Sequence, residues 1–358
     1  MISSSKRKLF FPIFALLLAA IGWGISIPIM KVLNSEQIFL APSLFSNSLE
    51  GPEGSERSDE SEGTTGSEGS ISQNPQITIC LAALSLALRF GLAAFGIALL
   101  ARISLWKISF FEWKQGSILG LITAVSMGIQ VDGLNYTSAS TAGFLIALYS
   151  VFIPIWFWIS GKRKMTFMLF LACIFVLIGM GILTGFHAQN FSFGRGEWES
   201  LGAAVLFALQ IIWIGSLDPK SYKPNILTFV LCITVAFFCA LALLAIIFFQ
   251  KTFSFDQILS TQYSFHSIFL TLSLAIIGTA LPFLIMNRYQ NQISATTAGF
   301  LYCFEPIATA LGALFLPELL GRSGSTYLNE SFSFNLGLGG FFILAANLMV
   351  LKANPTKD

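Results

Sequence analysis

Along most of this chain the apolar residues neither alternate nor recur on one helical face. They run on, twenty or so at a time, between short polar breaks. A helix needs about 20 mostly apolar residues to cross the hydrocarbon core of a bilayer. Ten stretches meet that ruler: Leu9–Leu33, Ile77–Arg102, Gly116–Tyr136, Ser138–Ser160, Thr166–Phe186, Glu197–Leu217, Ile226–Phe249, His266–Tyr289, Ser294–Leu316 and Phe334–Leu351. Pro28, Pro154, Pro282 and Pro306 fall inside them. Such positions are hard to place in soluble helices, but in a membrane bundle neighbouring helices or cavity water satisfy the freed carbonyls. The expected fold class is an all-α integral membrane protein of ten transmembrane helices. The first run follows Lys6-Arg7-Lys8 as a signal peptide would. It is longer than a signal's apolar region and no small-x-small site closes it, so it reads as a retained first helix.

An internal repeat organises these spans. Ser138-Ala139-Ser140-Thr141-Ala142-Gly143-Phe144-Leu145 opens the fourth, and Ser294-Ala295-Thr296-Thr297-Ala298-Gly299-Phe300-Leu301 opens the ninth. All positions agree but one, where Thr296 stands for Ser140. Five spans separate the copies, an odd number, so they enter the membrane from opposite faces. The expected architecture is two inverted five-helix repeats, an arrangement that secondary transporters use to alternate access to a mid-membrane site. The small residues themselves read first as close helix packing, as do the pairs Gly116/Gly120 and Gly181/Gly185.

Composition agrees with a lipid-facing chain: 55% of residues are hydrophobic and 11% charged, against about 25% charged in soluble domains. With the N-terminus placed in the cytoplasm, 14 of the 20 basic residues fall on the inside, five outside, and Arg89 lies within a helix. That bias sets both termini in the cytoplasm of a multi-pass inner-membrane protein. One segment is unlike the rest. Ser46–Ser72 is mostly Ser, Gly and Glu, its six Glu and Asp59 opposed only by Arg57. It is too polar to bury itself and reads as a disordered outer loop. The expected divisions are residues 1–33, tail and first helix; 34–76, the acidic outer loop; 77–186, the remainder of the first repeat; and 197–352, the second repeat. The five cysteines lie in apolar stretches without a CxxC, and His187 and His266 stand alone in loops, so no metal, cofactor or disulfide is expected. Nor does any basic run suggest nucleic acid.

Several short stretches, in order, resemble the EamA type within the drug/metabolite transporter superfamily. They are Gly22-Trp23-Gly24 through Pro28 and Lys31, Arg89-Phe90, Tyr136-Thr137-Ser138-Ala139, Gln292-Ile293-Ser294-Ala295-Thr296, Glu305-Pro306 and Pro317-Glu318. Pro317 stands where the family commonly has Gly, and the outer loop is longer than usual. The resemblance implies a bundle around a central cavity. It also implies transport of a small metabolite such as an amino acid, a nucleoside, an S-adenosylmethionine-like compound or a drug.

Polar groups at membrane depth are the candidate site. Each charge there costs at least about 2.5–3.5 kcal/mol and needs a reason. Glu305, beside Pro306, reads either as a substrate-contact or coupling carboxylate or as a helix-packing acceptor. Arg89 reads as an anion holder or as a structural donor to carbonyls. Asp132 and its repeat equivalent Arg288 sit at opposite mouths as gate candidates. Trp23, Gln130, Tyr149, Gln210, Trp213, Asn287 and Tyr302 complete the set. Tyr149 and Glu305 occupy equivalent repeat positions, which suits a molecule with two unlike ends. The expected partners are that small molecule and the lipid bilayer, with a second copy of the chain left open. No P-loop, GxSxG, HExxH or paired aspartate occurs, so neither ATP use nor an intramembrane enzyme is favoured. A channel or a non-transporting sensor remains the alternative.

Overall fold

The computed structural model describes residues 4–40, 75–133, 136–137, 142, 145–183, 193–250, 259, 264–321, 329 and 334–353. The acidic loop, His187, and most of the Ser138–Leu145 copy of the repeat lie outside them. The described residues form helices throughout, with no strand. In chain order these are α1 (Ser4–Leu40), α2 (Pro75–Leu100), α3 (Phe110–Gly133), α4 (Tyr149–Ile159), α5 (Phe167–Leu183), α6 (Arg195–Ser216) and α7 (Pro224–Gln250). A long broken helix follows: α8 (Phe265–Ala275), a π segment (Ile276–Ala280) and α9 (Leu281–Tyr289). Next come the short pieces α10 (Ala295–Tyr302), α11 (Glu305–Ala313) and α12 (Leu316–Leu320), and last α13 (Phe334–Ala353).

Six helical stretches are long and apolar enough to cross a membrane by themselves: Phe10–Leu33, Ile79–Leu100, Arg195–Ser216, Pro224–Phe249, Phe265–Gln292 and Phe334–Lys352. Leu145–Ile159 and Phe167–Ile182 are shorter apolar helices. The other two expected spans depart for visible reasons. α3 carries Gln115, Ser117, Thr123, Ser126, Gln130 and Asp132 among its apolar residues. The expected Ser294–Leu316 span is instead three helices, broken at Cys303–Phe304 and again near Phe315. Pro306 has no N–H to continue the α10 ladder, so a new helix starts at Glu305 with proline in its first turn.

Large apolar side chains stand exposed, and polar ones are buried beside an apolar core. Phe95, Leu100, Phe237, Phe248 and Phe341 stand largely exposed, whereas Thr123, Ser150, Thr228, Asn287, Gln290 and Ser294 are fully buried. A contiguous apolar exterior of this kind is what lipid covers. The chain is a multi-pass, all-helical membrane protein.

Packing pairs the helices α2 with α7, α5 with α13, α3 with α6 and α7, and α1 with the π segment, α8, α9 and α10 to α12. Glycine carries the close approaches. A Cβ on Gly116 or Gly120 would lie 2.6 Å from the Cβ of Val230 or Thr234 on α7, so this GxxxG pair packs as expected. On α5 the contact is made by Gly179 against the Gly339 carbonyl of α13, two residues earlier than the expected pair, of which Gly185 lies outside the described residues. The buried run Ala295–Tyr302 likewise serves packing.

Polar clamps hold both ends of α3, one to the start of α7 and one to the start of α6. Ser109 and Glu112 form a capping box, with Ser109 N–H to Glu112 Oε2 at 3.0 Å and Glu112 N–H to Ser109 Oγ at 3.2 Å. The second carboxylate oxygen accepts the Lys223 N–H at 2.9 Å. Burial alone would raise the Glu112 pKa, but the bonds from Lys223 and Ser109 and the Lys223 charge outweigh it and hold the group below its ordinary value. A depressed carboxylate contributes stability that is complete above its unfolded value of about 4.3 and is lost as pH falls through the folded value. The thermal midpoint in detergent should therefore drop on acidification below that range, and Glu112→Gln should flatten this part of the profile. At the opposite end Glu197 accepts from the Gly194 N–H at 2.8 Å and from the Thr137 hydroxyl.

Candidate functional site

Helices from both parts of the chain converge on one cavity. Trp23 enters from α1, Gln130 from α3, Tyr149 from α4, Gln210 from α6, Tyr302 from α10 and Glu305 from α11. Six residues expected at membrane depth thus line one cavity, with Phe207, Phe283 and Met286 among the apolar remainder. Trp23 is held edge-on between Phe283 at 5.4 Å and Tyr302 at 5.3 Å between ring centroids. The Glu305 side chain stands at the break between α10 and α11 and receives no hydrogen bond or ion pair from any described residue. Its main-chain carbonyl does accept from the Thr309 hydroxyl at 3.0 Å. Tyr149, beside Cys303, and Arg89 are near enough to feel its charge.

The remaining candidates lie elsewhere. Arg89 is buried behind the cavity wall, where its Nε donates to Thr279 Oγ1 and its Nη2 to the Gly278 carbonyl. The cause is local. The last π-type bond runs from the Leu281 N–H to the Ile276 carbonyl. Pro282 comes next without an N–H, and it stands five residues after Ile277 and four after Gly278. The Gly278 carbonyl thus lacks the N–H that would ordinarily reach it from four residues on, and the guanidinium supplies a donor in its place. Those two donations are the contacts its structural reading expects; they leave Nη1 without a hydrogen-bond partner among the described residues. Asn287 turns away from the cavity toward α7, donating to Thr228 Oγ1 at 2.9 Å. Trp213 Nε1 donates to Gln115 Oε1 at 2.8 Å. His266 caps no loop but opens α8, its Nε2 3.7 Å from Glu36.

The two gate candidates sit at opposite ends of the bundle. Asp132 pairs with Arg195 at 2.5 Å, and the same arginine bonds Glu199 at 2.7 Å and lies 4.3 Å over the Tyr136 ring. Arg288 is exposed, 5.7 Å from the Tyr289 ring centroid. Just beneath Arg288 a buried polar chain closes that end. Tyr302 donates to Gln290 Oε1 at 2.8 Å, and Gln290 Nε2 donates to the Ile211 carbonyl at 2.7 Å. Asn291 Nδ2 reaches Tyr222 Oη, which in turn donates to the Asn287 carbonyl at 3.0 Å. Gln290 and Asn291 escaped the sequence reading because a polar run at a helix end looks like any interfacial cluster. Arg195 is one of the five basic residues expected outside, and nothing in its sequence context points to Asp132.

The class that fold and site define is an all-helical, multi-pass membrane protein with an aromatic, carboxylate-bearing cavity at its centre. Among known proteins, an uncharacterized transporter of Archaeoglobus fulgidus is 27% identical over 119 residues, 33% of this chain and 37% of that protein. The match thus spans little more than a third of that relative. A protein solved by crystallography superposes with a TM-score of 0.55 at 14% identity, over 92% of this chain and 97% of its own, a likeness of fold alone. No family model matches the chain.

Proposed function

We propose that this protein is a secondary transporter of the EamA type in the drug/metabolite transporter superfamily, moving a small metabolite across the inner membrane by alternating access. The observation that carries the reading is the central cavity, where side chains from both halves meet around the unpaired Glu305 carboxylate. In this reading the chain crosses the bilayer ten times, as two inverted repeats with both termini in the cytoplasm. The packing supports it, because counterpart spans pair with one another, α2 with α7 and α5 with α13. Exchanging the halves also turns the contact of the third span with the sixth (α3 with α6) into that of the eighth with the first (α8–α9 with α1). The named relative lends support from sequence. The buried chain through Gln290 and Tyr302 then closes the cytoplasmic mouth, and Asp132 with Arg195 stands at the outer one.

Counterflow into proteoliposomes preloaded with a panel of amino acids, nucleosides, S-adenosylmethionine and amine drugs tests the reading. Saturable, trans-stimulated uptake of at least one compound is expected, and flux that never saturates would favour a channel. Glu305→Gln should elute and unfold as wild type does yet lose at least tenfold in exchange rate. Wild-type exchange by Glu305→Gln at every pH from 5 to 8 would leave the carboxylate a packing group.

A further inference from the structure

The cavity carries one sign of charge. Among its described lining residues Glu305 is the sole carboxylate, and no Lys, Arg or His joins it. The nearby cation, Arg89, is buried behind the described lining rather than part of it, and its Nε and Nη2 already donate to Thr279 and the Gly278 carbonyl. An ionised carboxylate in such surroundings is costly until a counter-charge or hydrogen-bond donor meets it, and the described protein brings none into contact. Around it stand Trp23, Tyr149 and Tyr302. Faces of such rings attract cations by about 0.5–2 kcal/mol each, more when water is excluded. The edge contacts of Trp23 with Phe283 and Tyr302 hold its ring in place before any ligand arrives. The side-chain amides of Gln130 and Gln210, also on the lining, make no hydrogen bond with described residues. Each is left with donors and an acceptor for a neutral polar group.

We infer that the cavity takes a flat organic monocation. Its amine or onium group lies against Glu305, its unsaturated body among Trp23, Tyr149 and Tyr302, and its neutral hydrogen-bonding end at Gln130 and Gln210. The inference rests on the reading of this cavity as the transport site. It narrows the substrate class to positively charged compounds, setting aside anions and placing zwitterions second, because the carboxylate of a zwitterion would find no cationic partner among the described lining residues.

A matched series on one skeleton tests it with the wild-type chain: tyramine, tyrosine and 3-(4-hydroxyphenyl)propanoate, at neutral pH a cation, a zwitterion and an anion. Calorimetric titration of the full chain in detergent should show tyramine binding at least tenfold more tightly than either of the others. Glu305→Gln, checked for a wild-type unfolding profile, should erase that preference. Tyrosine or the propanoate binding as tightly as tyramine, an unchanged preference in Glu305→Gln, or no binding by any of the three would each overturn the inference. Counterflow judges the parent reading separately. Tyramine that binds to the wild type with the expected preference but is not exchanged across proteoliposomes would overturn the transporter while leaving the ligand class in place.

Discussion

Arg89→Met is expected to destabilise the folded protein by about 1–3 kcal/mol, and Pro282→Ala in the same chain to recover most of that loss. Methionine keeps much of the arginine's length and apolar bulk but donates nothing. Two terms oppose each other. Removing a buried guanidinium relieves its desolvation cost, while the Gly278 carbonyl and Thr279 hydroxyl lose the donors that Arg89 brings them. A buried acceptor left unmade costs about 1–3 kcal/mol, and Gly278 is itself buried against Ser26 of α1. The orphaned carbonyl should dominate. Alanine at position 282 restores an N–H in register with Gly278, so the double variant separates this account from a general need for positive charge. Thermal unfolding of the two single variants and the double, in one detergent, gives the cycle. No recovery in the double variant would show that Arg89 does something other than replace the missing donor.

Gly24→Ala should be more damaging still. A Cβ there would lie 2.4 Å from the Glu305 carbonyl oxygen, 2.6 Å from Ala308 Cβ and 2.9 Å from the Thr309 nitrogen. Two of those atoms are main chain, which cannot rotate aside, so α1 and α11 would have to separate. The Thr309 hydroxyl, now 3.1 Å from the Gly24 carbonyl, would lose its bond as they did. Overpacking of this kind typically costs about 1–3 kcal/mol, and here it also displaces Glu305 from the cavity wall. Both the yield of folded protein and any counterflow should fall sharply. Gly96→Ala and Gly202→Ala are the controls, since a Cβ at either meets nothing within 4 Å; both should fold as wild type. A Gly24→Ala protein with an unchanged unfolding midpoint would contradict the contact.

The positions of the helices could be read along the chain because the lipid interior imposes one length and one polarity on every crossing. The convergence of Trp23, Gln130, Tyr149, Gln210, Tyr302 and Glu305 was legible for the same reason, since polar groups at that depth have few places to go other than a shared interior. The break at Glu305 was visible in Pro306. What could not be read were partners defined only by packing. Pro282 announces an orphaned carbonyl, but nothing in the linear order says that Arg89, some 190 residues earlier, will meet it. Asn287 has the same polarity and depth as the cavity residues, and only the rotation of α9 turns it toward Thr228. Gly22, Gly24 and Gly179 look no different from Gly96 until the neighbouring backbone is known.

The first helix raises a question of biogenesis. Its extensive packing is with elements beyond residue 264, and the Gly24 carbonyl meets a hydroxyl 285 positions downstream. A ribosome delivers α1 to the bilayer long before those partners exist. Until they arrive, the groove cut by Gly22 and Gly24 must be filled by lipid chains or an insertion factor. Nascent chains halted before α8 should therefore hold α1 in a site open to crosslinking, and completion of α8 to α13 should close it.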